Sequence, residues 1–350
     1  MSSQTDGFKL EKTSFASHAE EVLHMRNANR PIAQSAEYLA WRYQGLAGTQ
    51  EPAIFWLRGK DGRAAGMASL IFRPYWLDNV KQDVAVLGDI SLDSNLRGRG
   101  LGAVLLKFMT DHIREIEPDR LALVIPNAAA QRSLSSIGWV TPGRLIPHVL
   151  LLNAEHMLRR RVGGVGALAK GLAWPARQIV SALLRKARKP GYSLQLKTSL
   201  DDSFTGLWRD CDKTGAVIGD RDAETLAWRY ANHPHIAFSF AKLLFGQTLA
   251  GYLVYSFSRE DRECVIYDLV MRRPEESSCM LAMFAMEVSK DPEIGNIRLL
   301  LNDKHPYRAN LRKLGFISRE ASGVFQVNGE KAREGKGSAQ WILTGGDKDI

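Results

Sequence analysis

Apolar residues recur three and four apart between positions 101 and 116: Leu101, Val104, Leu105, Phe108, Met109, Ile113 and Ile116, with Pro118 behind them. This period predicts an amphipathic helix that starts at Leu101 and is stopped by Pro118. Just upstream, Val84-Ala85-Val86-Leu87-Gly88-Asp89-Ile90-Ser91-Leu92 reads as a strand rich in branched apolar residues. Downstream, residues 121–125 form a short apolar run that predicts a buried strand, followed by a second short helix and Gly138-Trp139. The runs 53–57 and 67–72 flank Lys60-Asp61-Gly62 and predict a hairpin, as do 236–245 and 251–258 later on. No apolar run approaches ~18 residues, so no transmembrane helix is expected.

The pattern returns. Ala36-Glu37-Tyr38-Leu39-Ala40-Trp41-Arg42-Tyr43 reappears as Ala223-Glu224-Thr225-Leu226-Ala227-Trp228-Arg229-Tyr230. Ala65-Gly66 matches Ala250-Gly251, Asp89 matches Asp268, and Gly138-Trp139 matches Gly315-Phe316, with the offset shrinking from 187 to 177 residues. A repeat this long means two similar domains rather than a solenoid. The length of 350 residues agrees, at about 100–200 residues per domain. The expected division is a first domain over 1–153, a connector over 154–191 and a second domain over 192–350.

Charge singles out the connector. Between His156 and Leu200 there is no acid and there are ten Lys or Arg residues, against a net charge of +9 for the whole chain. Pro175 suits a first helical position. Ala176, Ile179, Val180, Leu183 and Leu184 form an apolar stripe opposite Arg177, Ser181, Arg185 and Arg188. Three readings stay open for residues 156–190. They are a linker helix packed on both domains with its basic face in water, attachment to an anionic membrane surface, and nucleic acid. The last has least support, because aromatic interleaving and reader motifs are missing. Three cysteines without metal spacing and a polar N-terminus fit a reducing cytoplasm.

The chemistry concentrates in Arg97-Gly98-Arg99-Gly100-Leu101-Gly102, where the helical pattern begins. Glycines let backbone approach an anion closely. A helix start aims unpaired N–H groups and its positive dipole end at the same point. Two arginines add forked donors suited to phosphate oxygens. Glycines two apart do not match the dinucleotide fingerprint, and no Walker sequence is present. A glycine-rich turn with two solvated arginines is the competing reading. Opposite this loop the second repeat carries Glu276, Ser277, Ser278, Cys279, Met280 and Leu281, without glycine. One anion site is therefore expected, in the first repeat.

Here the chain resembles the GNAT superfamily of acyl-CoA-dependent N-acyltransferases. The family motif [Q/R]-x-x-G-x-[G/A] is matched by Arg97, Gly100 and Gly102, and its late N-x-x-A…G-[F/W] helix by Asn127, Ala130, Gly138 and Trp139. The resemblance implies an α/β (α+β) fold of two tandem GNAT-like domains, each a mixed, mostly antiparallel sheet flanked by helices. The two sheets are expected to join or to face each other. It implies acetyl-CoA as co-substrate and no metal, with Arg97, Gly98, Arg99, Gly100, Leu101, Gly102, Ala103 and Asn127 around the coenzyme. Ile90 and Leu92 would pair with pantetheine amides. Acetyl transfer would proceed by direct attack of an amine on the thioester.

For proton transfer, Asp89 is the candidate base, though Asp268 at the same place in the second repeat allows a structural role instead. Many family members carry a Tyr four residues before the late glycine. Leu134 stands there in this chain and Leu311 in the second repeat, leaving Ser133 or Ser135 as substitutes. Trp41, Arg42 and Tyr43 fall where the family binds acceptors, and packing is the competing reading. The ending Trp341-Ile342-Leu343-Thr344-Gly345-Gly346-Asp347 and the Trp-Arg-Tyr repeats are more loosely similar to tandem GNAT proteins of bacterial polysaccharide biosynthesis. The expected activity is thus acetyl-CoA-dependent N-acetylation of a primary amine, small or glycan-linked, such as an amino sugar. The location implied is cytoplasmic, or peripheral to the inner face of the membrane. Two rivals are a tRNA-dependent aminoacyltransferase of the tandem type and a non-catalytic CoA-binding scaffold at a membrane.

Overall fold

The computed structural model describes residues 3–5, 7–28, 30–46, 48–153, 166–329 and 340–348. In the first repeat, β1 (Ser3–Thr5) and β2 (Phe8–Ser14) precede α1 (Ala19–Asn27) and α2 (Ala36–Gln44). A meander of β3 (Ala53–Arg58), β4 (Ala64–Leu77) and β5 (Val80–Leu92) follows. Then come α3 (Leu101–Ile116), β6 (Ala122–Val124), α4 (Ala128–Ser136) and β7 (Val140–Leu151). The helix α5 (Gly166–Ala187) leads to the second repeat: β8 (Tyr192–Thr198), α6 (Asp202–Asp210), β9 (Ala216–Gly219) and α7 (Ala223–Leu226). It continues through β10 (Ser239–Phe245), β11 (Thr248–Ser258), β12 (Glu263–Met271), α8 (Ser277–Val288) and β13 (Asn296–Asn302). It closes with α9 (Arg308–Lys313), β14 (Ile317–Ser318), β15 (Gly323–Asn328) and β16 (Gln340–Ile342).

The two expected hairpins are present. β4 runs past its expected apolar stretch and pairs with β5 as far as Leu77↔Val80, while β10 starts at Ser239 rather than at residue 236. Both copies of the repeated octapeptide start a helix on a polar cap. Ser35 accepts from the Tyr38 N–H and Asp222 from the Thr225 N–H, which satisfies an otherwise unpaired helix donor. The second copy then winds residues Ala227–Ala231 into a π-helical turn.

The sheets join. All described strands belong to one mixed, mostly antiparallel sheet with the order β1-β2-β3-β4-β5-β6-β15-β7-β13-β12-β11-β10-β8 along its main path. The repeats exchange a strand. β15 of the second lies between β6 and β7 of the first, and β7 runs antiparallel to β13 from Asn296↔Leu151 to Asn302↔Leu145. β9 of the second repeat also pairs with the far end of β4. Each repeat keeps its own apolar core, one beneath α3 and one beneath α8. A third core is shared: Tyr75, Val84, Leu123 and Leu145 of the first repeat pack with Phe325, Val327, Trp341 and Leu343 of the second.

The connector differs in two respects from its sequence pattern. Pro175 lies inside α5 rather than at its first position. The stripe is narrower: Leu184 is buried and Val180 packs beside it against the core under α8, whereas Ile179 is 63% exposed. Apolar contact with the second repeat therefore uses part of this face, while Arg177, Arg185 and Arg188 stay exposed. Residues 154–165 of the connector lie outside the described residues.

Candidate active site

The site starts from a defect in one strand. β4 and β5 pair Met67 with Ser91 and Ser69 with Gly88, so Ala68 faces two residues, Asp89 and Ile90. This is a β-bulge, which bends a strand and re-aims its side chains. Asp89 carries φ +52°, a left-handed conformation rare outside glycine, asparagine and aspartate. On its other side β5 runs parallel to β6 only at Ala85↔Ala122 and Val86↔Leu123. Beyond those two pairs the strands part, and a cleft of about 880 Å³ opens between them.

The glycine loop closes one end of this cleft. Gly98 and Gly100 have φ near +79° and +78°, and an added Cβ on either would meet open space. They are glycines for conformation and for close approach of a ligand, not for packing. Gly100 is the N-cap of α3, and the first two residues of the helix, Leu101 and Gly102, start its free end. The helix dipole and the first N–H groups thus open onto the cleft, an arrangement that suits a pyrophosphate. Ile90, Leu92, Arg97, Gly98, Gly100, Gly102, Ala103 and Asn127 all line it. Two expected coenzyme residues have other places. Leu101 turns its side chain into the core under α3, and Arg99 sits on the exposed turn outside the cleft lining. Asn127 uses its side-chain oxygen to cap α4 through the Ala130 N–H at 2.9 Å.

The candidate proton donors separate. Ser133 lines the cleft. Ser135 is one residue past the buried Leu134 and points elsewhere: its hydroxyl accepts a hydrogen bond from Gln326 of β15 at 2.8 Å. Ser135, expected as a substitute proton donor, thus makes a contact with the exchanged strand.

Asp89, the expected base, sits in a cluster of arginines. Its carboxylate is buried and accepts hydrogen bonds from the Tyr43 hydroxyl and, at 3.0 Å, from Arg42 Nε. Arg26 pairs with the same oxygen, and Arg30 Nη2 lies 3.5 Å from the other. Burial opposes its charge, but Arg42, Arg26, Tyr43 and Arg30 together hold its pKa below the usual value. A carboxylate so stabilised is a weak proton acceptor, so Asp89 fits an anchor for arginines better than a base. Burial and the Asp89 charge also push the Tyr43 phenol up, which keeps it a hydrogen-bond donor.

This anchor reading predicts that Asp89→Asn destabilises the protein by about 3–5 kcal/mol, the usual result of stripping one partner from a buried ion pair. The sign with pH follows from a depressed folded-state pKa. The contribution is fully present above the unfolded value near 3.9 and disappears as pH falls through the lower folded value. Urea unfolding of wild type and variant should therefore differ by a constant amount from pH 8 to about 5 and converge only in stronger acid. A variant of wild-type stability would return Asp89 to the list of candidate bases.

The Trp-Arg-Tyr triplets, expected to hold an acceptor, make contacts within and between the repeats. Trp41 and Trp228 stack with ring centroids 5.3 Å apart, and each indole N–H donates to the other's backbone carbonyl, at 2.7 and 3.2 Å. This reciprocal contact is what a pseudo-two-fold axis through the repeat requires. Tyr43 and Tyr230 are 1% exposed and donate to Asp89 and Asp268. Arg42 is likewise buried.

In the second repeat the corresponding opening is filled by the chain itself. β12 and β13 pair as far as Ile266↔Leu299, and residues 343–347 lie beyond. The Asn302 N–H donates to the Leu343 carbonyl at 3.1 Å, and the Thr344 hydroxyl donates to Asp268 at 3.2 Å. Asp347 then reaches the cleft of the first repeat, with Lys348 beside it. Arg26, Arg30, Asp347 and Lys348 are site residues that motif reading passed over. Arg26 and Arg30 stand one helical turn apart in sequence, but nothing local ties them to Asp89.

Comparison with known proteins agrees with this geometry. Residues 19–139 match the model of the acetyltransferase (GNAT) family, which supports an enzyme of the N-acyltransferase type. No curated protein matches significantly. Among solved structures, the chain is similar to a probable N-acyltransferase of unknown function from Enterococcus faecalis V583, at 10% identity and TM-score 0.66, covering 93% of this chain and 73% of that one. A GCN5-related N-acetyltransferase from Anabaena variabilis is 12% identical with TM-score 0.64, covering 91% and 72%. A tandem GNAT protein from the clavulanic acid biosynthesis pathway is 15% identical with TM-score 0.50, covering 91% and 98%. At these identities the likeness is one of fold.

Proposed function

We propose that this protein transfers an acetyl group from acetyl-CoA to a primary amine, in the single cleft of its first repeat. The observation that supports this most is the junction of three features: the bulge at Asp89 and Ile90, the parting of β5 from β6, and the glycine cradle at the start of α3. Backbone amides of the cradle and Arg97 would hold the pyrophosphate. Freed strand-edge groups around Ile90 and Leu92 would bind the pantetheine amides and could polarise the thioester carbonyl. The amine nitrogen attacks the carbonyl carbon, the C–N bond forms, the C–S bond breaks, and the thiolate leaves as the amine gives up its proton to water. The guanidinium groups around Asp89 assist, because nearby positive charge disfavours an ammonium ion and favours the reactive free amine. An amino sugar or glycan-linked amine remains the acceptor class carried from the sequence.

The test is release of CoA thiol from acetyl-CoA in the presence of a panel of primary amines, with the N-acetyl product identified by mass spectrometry. Turnover on at least one amine is the expected result. Acetyl-CoA binding without turnover on any amine would favour the scaffold reading, and absence of binding would remove both.

A further inference from the structure

The two repeats treat the same buried charges differently. In the second, Arg221 and Arg229 face two carboxylates. Asp268 lies 3.1 Å from Arg221 Nε, and Asp347 lies 2.6 Å from Arg221 Nη2 and 3.5 Å from Arg229 Nη1. Two cations meet two anions, and the Asp347 carboxylate is fully buried. In the first repeat Arg26, Arg30 and Arg42 all pair with Asp89. Arg42 and Arg229 are equivalent in the repeated octapeptide, as are Asp89 and Asp268 by their place at the bulged strand. Arg26 takes the position beside Asp89 that Arg221 takes beside Asp268. Among the described residues, no second carboxylate pairs with Arg26 or Arg30.

A buried charge without a partner is costly. Arg26 is 2% exposed, yet its Nε has no hydrogen-bond partner among the described residues, and the side chain lines the cleft. Arg30 lines the same end and is about two-fifths exposed. Burial and the neighbouring Arg26 both lower its pKa, a sign of crowded positive charge.

We propose that the acceptor amine carries an oxyanion, a carboxylate or a phosphate, which enters the cleft and binds Arg26 and Arg30 as the Asp347 carboxylate binds Arg221 and Arg229 in the second repeat. This rests on the reading of the cleft as an acetyltransferase site and specifies its substrate class. Forked guanidinium donors match both groups. The guanidinium groups of Arg26 and Arg30 would favour such an acceptor over a neutral or cationic amine of the same size.

Inorganic phosphate and acetate serve as the probes, titrated calorimetrically into the full-length protein with and without saturating CoA. Three proteins are compared: wild type, Arg30→Ala and Arg99→Ala, whose residue lies outside the cleft lining. Arg30 is the better target because removing the buried Arg26 would unbalance Asp89. The expected result is that at least one probe binds CoA-saturated wild type, roughly tenfold more weakly to Arg30→Ala, a loss of about 1.4 kcal/mol, and unchanged to Arg99→Ala. The stronger probe tells phosphate from carboxylate. No binding of either probe, or binding indifferent to Arg30→Ala, overturns the proposal. Acetyl-CoA affinity measured on the same preparations separates the two failures. If acetyl-CoA does not bind, the enzymatic reading falls, while the Arg30-dependent signal without CoA still decides the anion site.

Discussion

Gly100→Asp is expected to weaken acetyl-CoA binding at least a hundredfold, about 2.7 kcal/mol or more, without unfolding the protein. Gly100 caps α3 with φ +78°, and a Cβ there meets open space. The substitution therefore adds conformational strain of roughly 1–2 kcal/mol, partly offset because aspartate is a good N-cap. What it adds to the site is a carboxylate at the helix N-terminus, where the pyrophosphate should lie. The two negative charges would compete for the same N–H groups and dipole end. Gly100→Ala is the control: it brings the strain without the charge and should stay within about tenfold of wild type. Calorimetry with acetyl-CoA, together with thermal unfolding of each variant, reads the result. Equal affinity for wild type and Gly100→Asp would move the coenzyme out of the cradle.

This cradle was legible because its physics is local. A glycine string, two arginines and a 3.6-residue apolar period are all read from neighbouring positions, and the predicted bounds of α3 match the structure. The bulge was not legible. Residues 84–92 look like an uninterrupted strand, and only the pairing of Ala68 with two residues reveals the extra one. The octapeptide repeat was plain, but its meaning was not. A Trp that contacts its own copy across a pseudo-axis has the same local sequence as one that stacks on a ligand. Arg26 and Arg30 belong to no motif, and their convergence with Arg42 on Asp89 depends on how α1, α2 and β5 pack. The route of residues 343–347 into the opening of the second repeat is likewise a matter of tertiary contact. Alternating apolar residues say that a strand has a buried face, not which strand it lies beside.

That last gap carries the second large prediction: neither repeat should fold alone. Cutting the chain after residue 153 leaves β6 without β15, and β7 without either β15 or β13. It also uncovers Tyr75, Val84, Leu123 and Leu145, which pack on Phe325, Val327, Trp341 and Leu343. At about 1.5–3 kcal/mol for each large apolar side chain, losing four such contacts forfeits about 6–12 kcal/mol. That is comparable to the whole stability of a typical domain, about 5–15 kcal/mol. The bared strands would in addition offer unpaired edges to other chains. Expressed separately, residues 1–153 and 154–350 should be aggregated or lack a cooperative urea transition. Expressed together, they should co-elute as one soluble complex that binds acetyl-CoA. A monomeric 1–153 fragment with a sharp unfolding transition would show that the exchange is dispensable. If the fragments do need each other, the second repeat has a physical reason to persist without a cradle of its own. It supplies β15, which pairs with β6, and β6 forms one wall of the cleft in the first repeat.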